Sequence, residues 1–227
     1  MLSGILIKVG IYAIIRVFCL IFVDLQGTFQ TFILPFACIT MFMGAMGAVA
    51  QTDLKRLLAY SSVSQIGYIL MGVGFFSVAG IGAALFYTIS HGIIKASLFL
   101  AAGILKKMKG TTEMSAHGNM INISPSFTLF FLIGVAALGG IPPSSGFFMK
   151  FQVMKAGLDG AFYVPVAVAL VVSLFTLFYL VQSWQKICLL PQTDVPKTRP
   201  SFKLLLPVGV LAVLCLVLGF AAAPIVR

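Results

Sequence analysis

His91 and Lys95 stand four residues apart in the run Ser90-His-Gly-Ile-Ile-Lys95, with apolar sequence on both sides. On a helix that spacing puts both side chains on one face. Two basic groups stacked in an apolar setting suit proton transfer, since an imidazole exchanges its proton near neutral pH and an amine kept from water can do so too. The competing reading is a satisfied polar contact between packed helices. Lys150 follows the run Gly139-Gly-Ile-Pro-Pro-Ser-Ser-Gly146, and Lys8 lies within Leu6-Ile-Lys8-Val-Gly-Ile-Tyr12. An ionisable side chain inside an apolar span costs at least about 2.5–3.5 kcal/mol at the helix centre on the insertion scale, so its default reading is a functional site. Each has a plainer alternative. Lys8 is close enough to the chain start to snorkel, Lys150 could anchor a helix at the interface, and Arg16 reads as a snorkelling or structurally paired residue.

The elements that must position these residues are set by composition. Of 227 residues, 60% are hydrophobic and only 9% are charged. An average soluble domain has about 25% charged residues, and the mean hydropathy here is +1.11. Neither a water-soluble domain nor a disordered chain fits. Long unbroken apolar runs replace the short alternating segments of an outer-membrane barrel. The expected fold is therefore all-α and polytopic, with about seven transmembrane helices at residues 2–23, 29–50, 57–78, 81–105, 125–157, 162–184 and 204–225. The fifth is too long for one straight crossing and should break at Pro142-Pro143, where two backbone donors are missing. Gly140 and Gly146 flank that break. Freed backbone at membrane depth needs a protein or water partner, a device transporters use to line ion sites. The glycines Gly67, Gly72 and Gly74 are expected to allow close helix packing.

The net charge is +10. The loops around Lys55 and Arg56, around Lys106, Lys107 and Lys109, and around Lys186, Lys197, Arg199 and Lys203 all fall on one face, which the positive-inside rule makes cytoplasmic. Membrane orientation thus accounts for the basic residues, and no nucleic-acid partner is implied. All five acids (Asp24, Asp53, Glu113, Asp159 and Asp194) fall in loops or at span ends. Buried lysines that need a carboxylate must then find it on another chain. Cys19, Cys38, Cys188 and Cys215 have no metal-ligand spacing and read as small buried hydrophobes. His117 sits in a polar loop and is expected to be solvated. The start, Met1-Leu-Ser-Gly, lacks the basic n-region of a cleavable signal peptide. No enzyme motif is present: no HExxH, P-loop, GxSxG or paired carboxylates. Whether the chain belongs to an enzyme complex is left open by its residues.

Four stretches together carry a resemblance: LIKVGIYAIIR (6–16), QTDLKRLLAYSSVSQIGY (51–68), SHGIIKASLFLAAG (90–103) and GGIPPSSGFFMKF (139–151). In order and spacing they resemble the antiporter-like, proton-translocating membrane subunits of respiratory complex I, Mrp-type cation/proton antiporters and energy-converting hydrogenases. The resemblance implies that Lys8 corresponds to the central lysine joining two half-channels. His91 and Lys95 then match the polar pair on the helix before the broken one, and Lys150 matches the ionisable residue after the break, lysine or glutamate in different members. A full subunit has about fourteen helices in two inverted repeats. This chain, read as one transmembrane domain over residues 1–227, resembles only the second half. That implies a split gene product, a truncation or a fragment, and a partner chain supplying the first half with its membrane glutamate.

The resulting expectation is a multi-pass protein of a bacterial or archaeal cell membrane. It would move protons, with or without cation exchange, alongside other membrane subunits, through Lys8, then His91 and Lys95, then Lys150. No cofactor is implied in this chain, and electron chemistry would belong to partner subunits. Two rivals stand beside it: a structural subunit that does not conduct, and a small-solute carrier that binds its substrate at the broken helix.

Overall fold

The computed structural model describes residues 7–21, 23–191 and 200–225. Residues 2–6 of the expected first span, together with Asp194, Lys197 and Arg199, lie outside these, as does the side chain of Cys19. The described residues are mostly helical: α1 (Ile7–Arg16), α2 (Gln26–Val49), α3 (Leu54–Gly74), α4 (Val78–Lys109), the single turn α5 (Met120–Ile123), α6 (Pro125–Gly139), α7 (Ser145–Asp159), α8 (Tyr163–Cys188) and α9 (Phe202–Ile225). Five helices are long and apolar enough to cross a bilayer: α2, α3, α4, α8 and residues 202–222 of α9. The two other expected crossings correspond to α1, ten α-helical residues followed by a π turn at Val17–Ile21, and to the pair α6–α7. The all-α polytopic expectation holds. The first span departs from it, since regular α-helix stops at Arg16 where hydropathy continues to residue 23; no proline or glycine in that stretch announces the π turn.

Helix ends follow local chemistry. Asp53 caps α3 by accepting from the backbone N–H of Arg56 at 3.0 Å, and Ser77 caps α4 through Gly80 N–H at 3.0 Å. Pro125 opens α6, where its missing N–H costs nothing. Helix α4 runs four residues past its expected end. Lys106, Lys107 and Lys109 extend it beyond the apolar stretch, favourably placed at a helix C-terminus, until Gly110 turns left-handed at φ +76°.

Packing depends on missing side chains. A Cβ on Gly67 would lie 2.4 Å from Met41 of α2, one on Gly74 2.6 Å from Ile33, and one on Gly44 2.4 Å from the backbone of Ser64. Helices α2 and α3 can therefore approach closely, which is what drives helix association where lipid is as apolar as leucine. Helix α3 is the most enclosed of the long helices, buried over both polar and apolar positions. Cys188 and Cys215 are buried and Cys38 half-buried, all three as free thiols.

The chain segments bearing the basic loops meet at one end of the bundle. Leu54 N–H donates to Thr112 O at 3.0 Å and Met114 N–H to Thr52 O at 3.0 Å, making an isolated antiparallel bridge between Asp53 and Glu113. Asn119 N–H donates to Leu190 O at 2.9 Å. His117 corrects the sequence reading. It is 1% exposed rather than solvated, with Nε2 3.0 Å from the Thr111 carbonyl. The polar loop around it folds back over the bundle end, closed by Lys109, whose Nζ donates to Ala116 O at 2.7 Å. Hydropathy cannot foresee such a fold-back.

Candidate functional site

The break between α6 and α7 is where the tandem prolines require it. Gly140 closes α6 in the left-handed region at φ +89°, and its N–H and that of Ile141 both reach Ala136 O at 2.9 Å. Beyond Pro142 and Pro143, Ser144 N–H donates to Ile141 O at 3.1 Å, and Phe147 N–H to Ser144 O at 3.1 Å as α7 starts. Backbone groups freed by the break thus find partners within the turn, as a low-dielectric setting demands. Two glycines let neighbours close on it. A Cβ on Gly146 would sit 1.5 Å from the Ala137 carbonyl oxygen, and one on Gly219 of α9 would sit 2.1 Å from Pro143 O.

Lys150 occupies the second turn of α7 and is 3% exposed. Its Nζ reaches back across the break to donate to Gly139 O at 3.0 Å, and donates also to Ser173 Oγ of α8 at 3.2 Å. The carbonyls at the end of α6 carry the negative end of that helix's dipole, so the broken helix supplies the ammonium with partial negative charge in place of a carboxylate. The Tyr68 ring offers a face, its centroid 5.7 Å from Nζ.

Lys95 is wholly buried on α4 and reaches α3, donating to Leu58 O at 2.6 Å and Ser61 Oγ at 2.5 Å. Ser61 and Ser62 hydroxyls converge on the same carbonyl, at 2.9 and 3.0 Å. His91, one turn away, is 1% exposed, and neither of its ring nitrogens has a hydrogen-bond partner. The pair shares α4 as its spacing predicts. Lys8 is mostly buried on α1, so it does not snorkel free. It lines a cleft of about 600 Å³ together with Lys95, Tyr12, Thr88 and Phe99. Arg16 instead lies exposed over the Tyr12 ring, 5.7 Å from its centroid.

The structure therefore joins Lys8 to Lys95 through one cleft, seats His91 beside Lys95, and places Lys150 at the break, next to Tyr68 on the same face of α3 that Lys95 meets at Ser61. Acids among the described residues stay outside this interior: Asp24 in a 3-10 turn, Asp53 at the cap of α3, Glu113 in a loop and Asp159 at the end of α7. What residue-by-residue reading missed is the buried polar face of α3, where Ser61, Ser64, Gln65 and Tyr68 recur at helical spacing. The stretch SSVSQIGY carried that signal. At the bundle end, partial burial works to raise the Asp53 carboxyl, but hydrogen bonds from Thr112 and the backbone of Arg56 and Lys55 outweigh it and hold it below its ordinary value. Burial pushes the His117 imidazole down, and Lys109 adds to that shift.

Residues 1–176 match the family described as NADH:quinone oxidoreductase/Mrp antiporter, transmembrane. The chain belongs to this family. Among its relatives, a Na(+)/H(+) antiporter subunit of Alkalihalophilus pseudofirmus is 43% identical over 230 residues, 98% of this chain and 46% of that protein. An NADH-quinone oxidoreductase subunit of Rickettsia prowazekii is 31% identical over 207 residues, 89% of this chain and 41% of that protein. A chain in the Mrp complex from Dietzia sp. DQ12-45-1b superposes with a TM-score of 0.94 at 29% identity, covering 99% of this chain and 50% of that one. The chain thus spans about half the length of the relatives it matches. As a member of this NADH:quinone oxidoreductase/Mrp antiporter family with several apolar helices, it is an integral membrane protein.

Proposed function

We propose that this chain is the second half of a proton-translocating antiporter-like subunit, working in a multisubunit cation/proton antiporter. The observation that carries the reading is the set of buried lysines held by neutral oxygens alone: Lys95 on Leu58 O and Ser61, and Lys150 on Gly139 O and Ser173. An ammonium so placed is balanced closely enough against its neutral amine that a change in nearby charge shifts the proton. The route runs from Lys8 across the shared cleft to Lys95, with His91 beside it, and on to Lys150 at the break. The greater identity to an antiporter protein than to an oxidoreductase protein supports the antiporter setting.

Partners follow from the same balance. Unpaired buried ammonium groups are costly, by several kcal/mol each after relaxation, and a nearby carboxylate offsets much of that. Lys8 lines the cleft between α1 and α4, and a first-half chain with the membrane glutamate that the resemblance implies would supply the missing carboxylate. Reconstituted alone in liposomes, the chain should show no proton flux under a pH gradient. Adding the first-half chain should restore flux, and replacing that chain's membrane glutamate by glutamine should lower it again. Robust flux from the lone chain, lost in Lys150→Ala, would overturn the half-subunit reading.

A further inference from the structure

Lys95 meets Ser61 and Lys150 approaches the Tyr68 ring, two turns further along the same face of α3, and the four basic residues leave the space between them unexplained. Polar side chains from three helices fill it. Tyr68, Tyr87 and Tyr179, from α3, α4 and α8, are among the largest wholly buried side chains. Tyr87 donates its hydroxyl to Gln65 Oε1 at 2.5 Å, and the Tyr68 and Tyr87 rings stack with centroids 5.8 Å apart. The Tyr179 phenol stands beside the Ser61 and Thr176 hydroxyls without meeting either at hydrogen-bonding geometry. Tyr68 donates to Ala169 O at 2.6 Å and lies beside Ser173, the acceptor of Lys150. Oxygen and nitrogen atoms therefore run from Lys95 through Ser61 and the phenols to Ser173 and Lys150.

Several of these atoms are unspent. Gln65 Nε2, the Tyr179 oxygen, Ser64 Oγ, Ser90 Oγ and both nitrogens of His91 are buried without a hydrogen-bond partner. A buried polar group left so costs about 1–3 kcal/mol, and a cluster of free donors and acceptors in a packed interior is the setting that holds internal water. A column built only for packing would use apolar side chains at these positions and avoid the cost.

We infer that Gln65, Tyr87 and Tyr179, with water held on their free groups, form the bridge that carries the proton between Lys95 and Lys150. The inference rests on the proton-translocating reading above. The step is a hydroxyl relay. One N–H bond breaks at the Lys95 ammonium, each hydroxyl or water along the file accepts a proton and releases its own, and one N–H bond forms at the neutral Lys150 amine. Nothing is oxidised or reduced, and the hydroxyls end unchanged but turned. Gln65 is a positioning residue, since its carbonyl fixes the Tyr87 hydroxyl and its amide nitrogen is a buried donor without a partner.

The test uses the assembled complex in everted membrane vesicles, reading cation-dependent collapse of a pH gradient by a fluorescent dye. Tyr87→Phe, Tyr179→Phe and Gln65→Leu should each lower the maximal rate about tenfold, while the apparent KM for the cation stays within about twofold. Gln65→Glu, which keeps the acceptor for Tyr87, should recover most of the rate lost in Gln65→Leu. Lys150→Ala is assayed alongside. Wild-type rates in both tyrosine variants, with Lys150→Ala inactive, would overturn the bridge and leave the proposed function standing; an active Lys150→Ala would overturn that function itself. A raised KM at unchanged maximal rate would also sink the bridge, by placing these residues at the cation's site. Assembly is followed on native gels, and should one tyrosine variant fail to assemble, the other and the Gln65 pair decide.

Discussion

The Lys150 ammonium bonds the carbonyl of Gly139, eleven residues earlier in the chain and on the other side of the helix break, at 3.0 Å. The end of α6 and the second turn of α7 are thereby tied by a side chain whose charge the break itself stabilises. Removing the amine should separate function from structure. Lys150→Ala should insert and assemble but lose most proton translocation in the complete complex. Lys150→Glu should retain part of it, since the resemblance finds either residue at this position. Normal translocation by Lys150→Ala would reduce the residue to an anchor.

The tightest approach in the break predicts a structural phenotype of its own. Gly146→Ala would drive a methyl group to 1.5 Å from the Ala137 carbonyl oxygen, which is backbone and cannot swing aside. Overpacking of this kind costs about 1–3 kcal/mol and occasionally more. We expect a markedly lower melting temperature for purified Gly146→Ala. Gly82→Ala is the matched control, because a Cβ there meets nothing within 4 Å, and alanine favours the helix by about 1 kcal/mol. Equal melting temperatures for the two variants would contradict the packing described.

The prolines make a separate claim. Pro142→Ala combined with Pro143→Ala should allow α6 and α7 to join as one helix, withdrawing Gly139 O from Lys150 to serve the backbone ladder. The double variant should assemble and conduct poorly in the vesicle assay. Conduction at the wild-type rate would show that the break is not needed for transport.

The loop at the basic end predicts a pH dependence. Folding holds the His117 imidazole below its ordinary value of 6.5. The folded state then binds fewer protons than the unfolded one in that range, so the stabilisation is complete above 6.5 and is lost as pH falls through the lower folded value. Asp53, held below its ordinary 3.8, adds a second loss in stronger acid. Thermal stability of the complex should therefore begin to drop as pH falls below about 6.5, and His117→Gln should flatten that slope. An unchanged slope in the variant would assign the dependence to other groups.

Topology can be read with one cysteine. Lys107 is exposed on the last turn of α4. The positive-inside rule puts it on the cytoplasmic side. A membrane-impermeant maleimide should label Lys107→Cys in everted vesicles and not in intact cells, and the reverse pattern would invert the whole orientation.

Composition and order alone determined that this chain is a bundle of apolar helices, that its fifth apolar stretch breaks at Pro142-Pro143, and which basic residues fall inside apolar stretches. These follow from local physics: the cost of charge in hydrocarbon, and the donors that proline lacks. They are legible because each depends on a residue and its near neighbours. Tertiary structure alone decided what each buried group meets. Lys95 ends on Leu58 O and Ser61, 37 and 34 residues away, and Tyr87 ends on Gln65, 22 residues away. His117 looked solvated because its loop is polar, yet packing against the bundle end buries it. Partners at such separations depend on how helices approach, and that is set by shape at positions such as Gly67 and Gly146, where a missing side chain, silent in any hydropathy reading, lets two backbones meet.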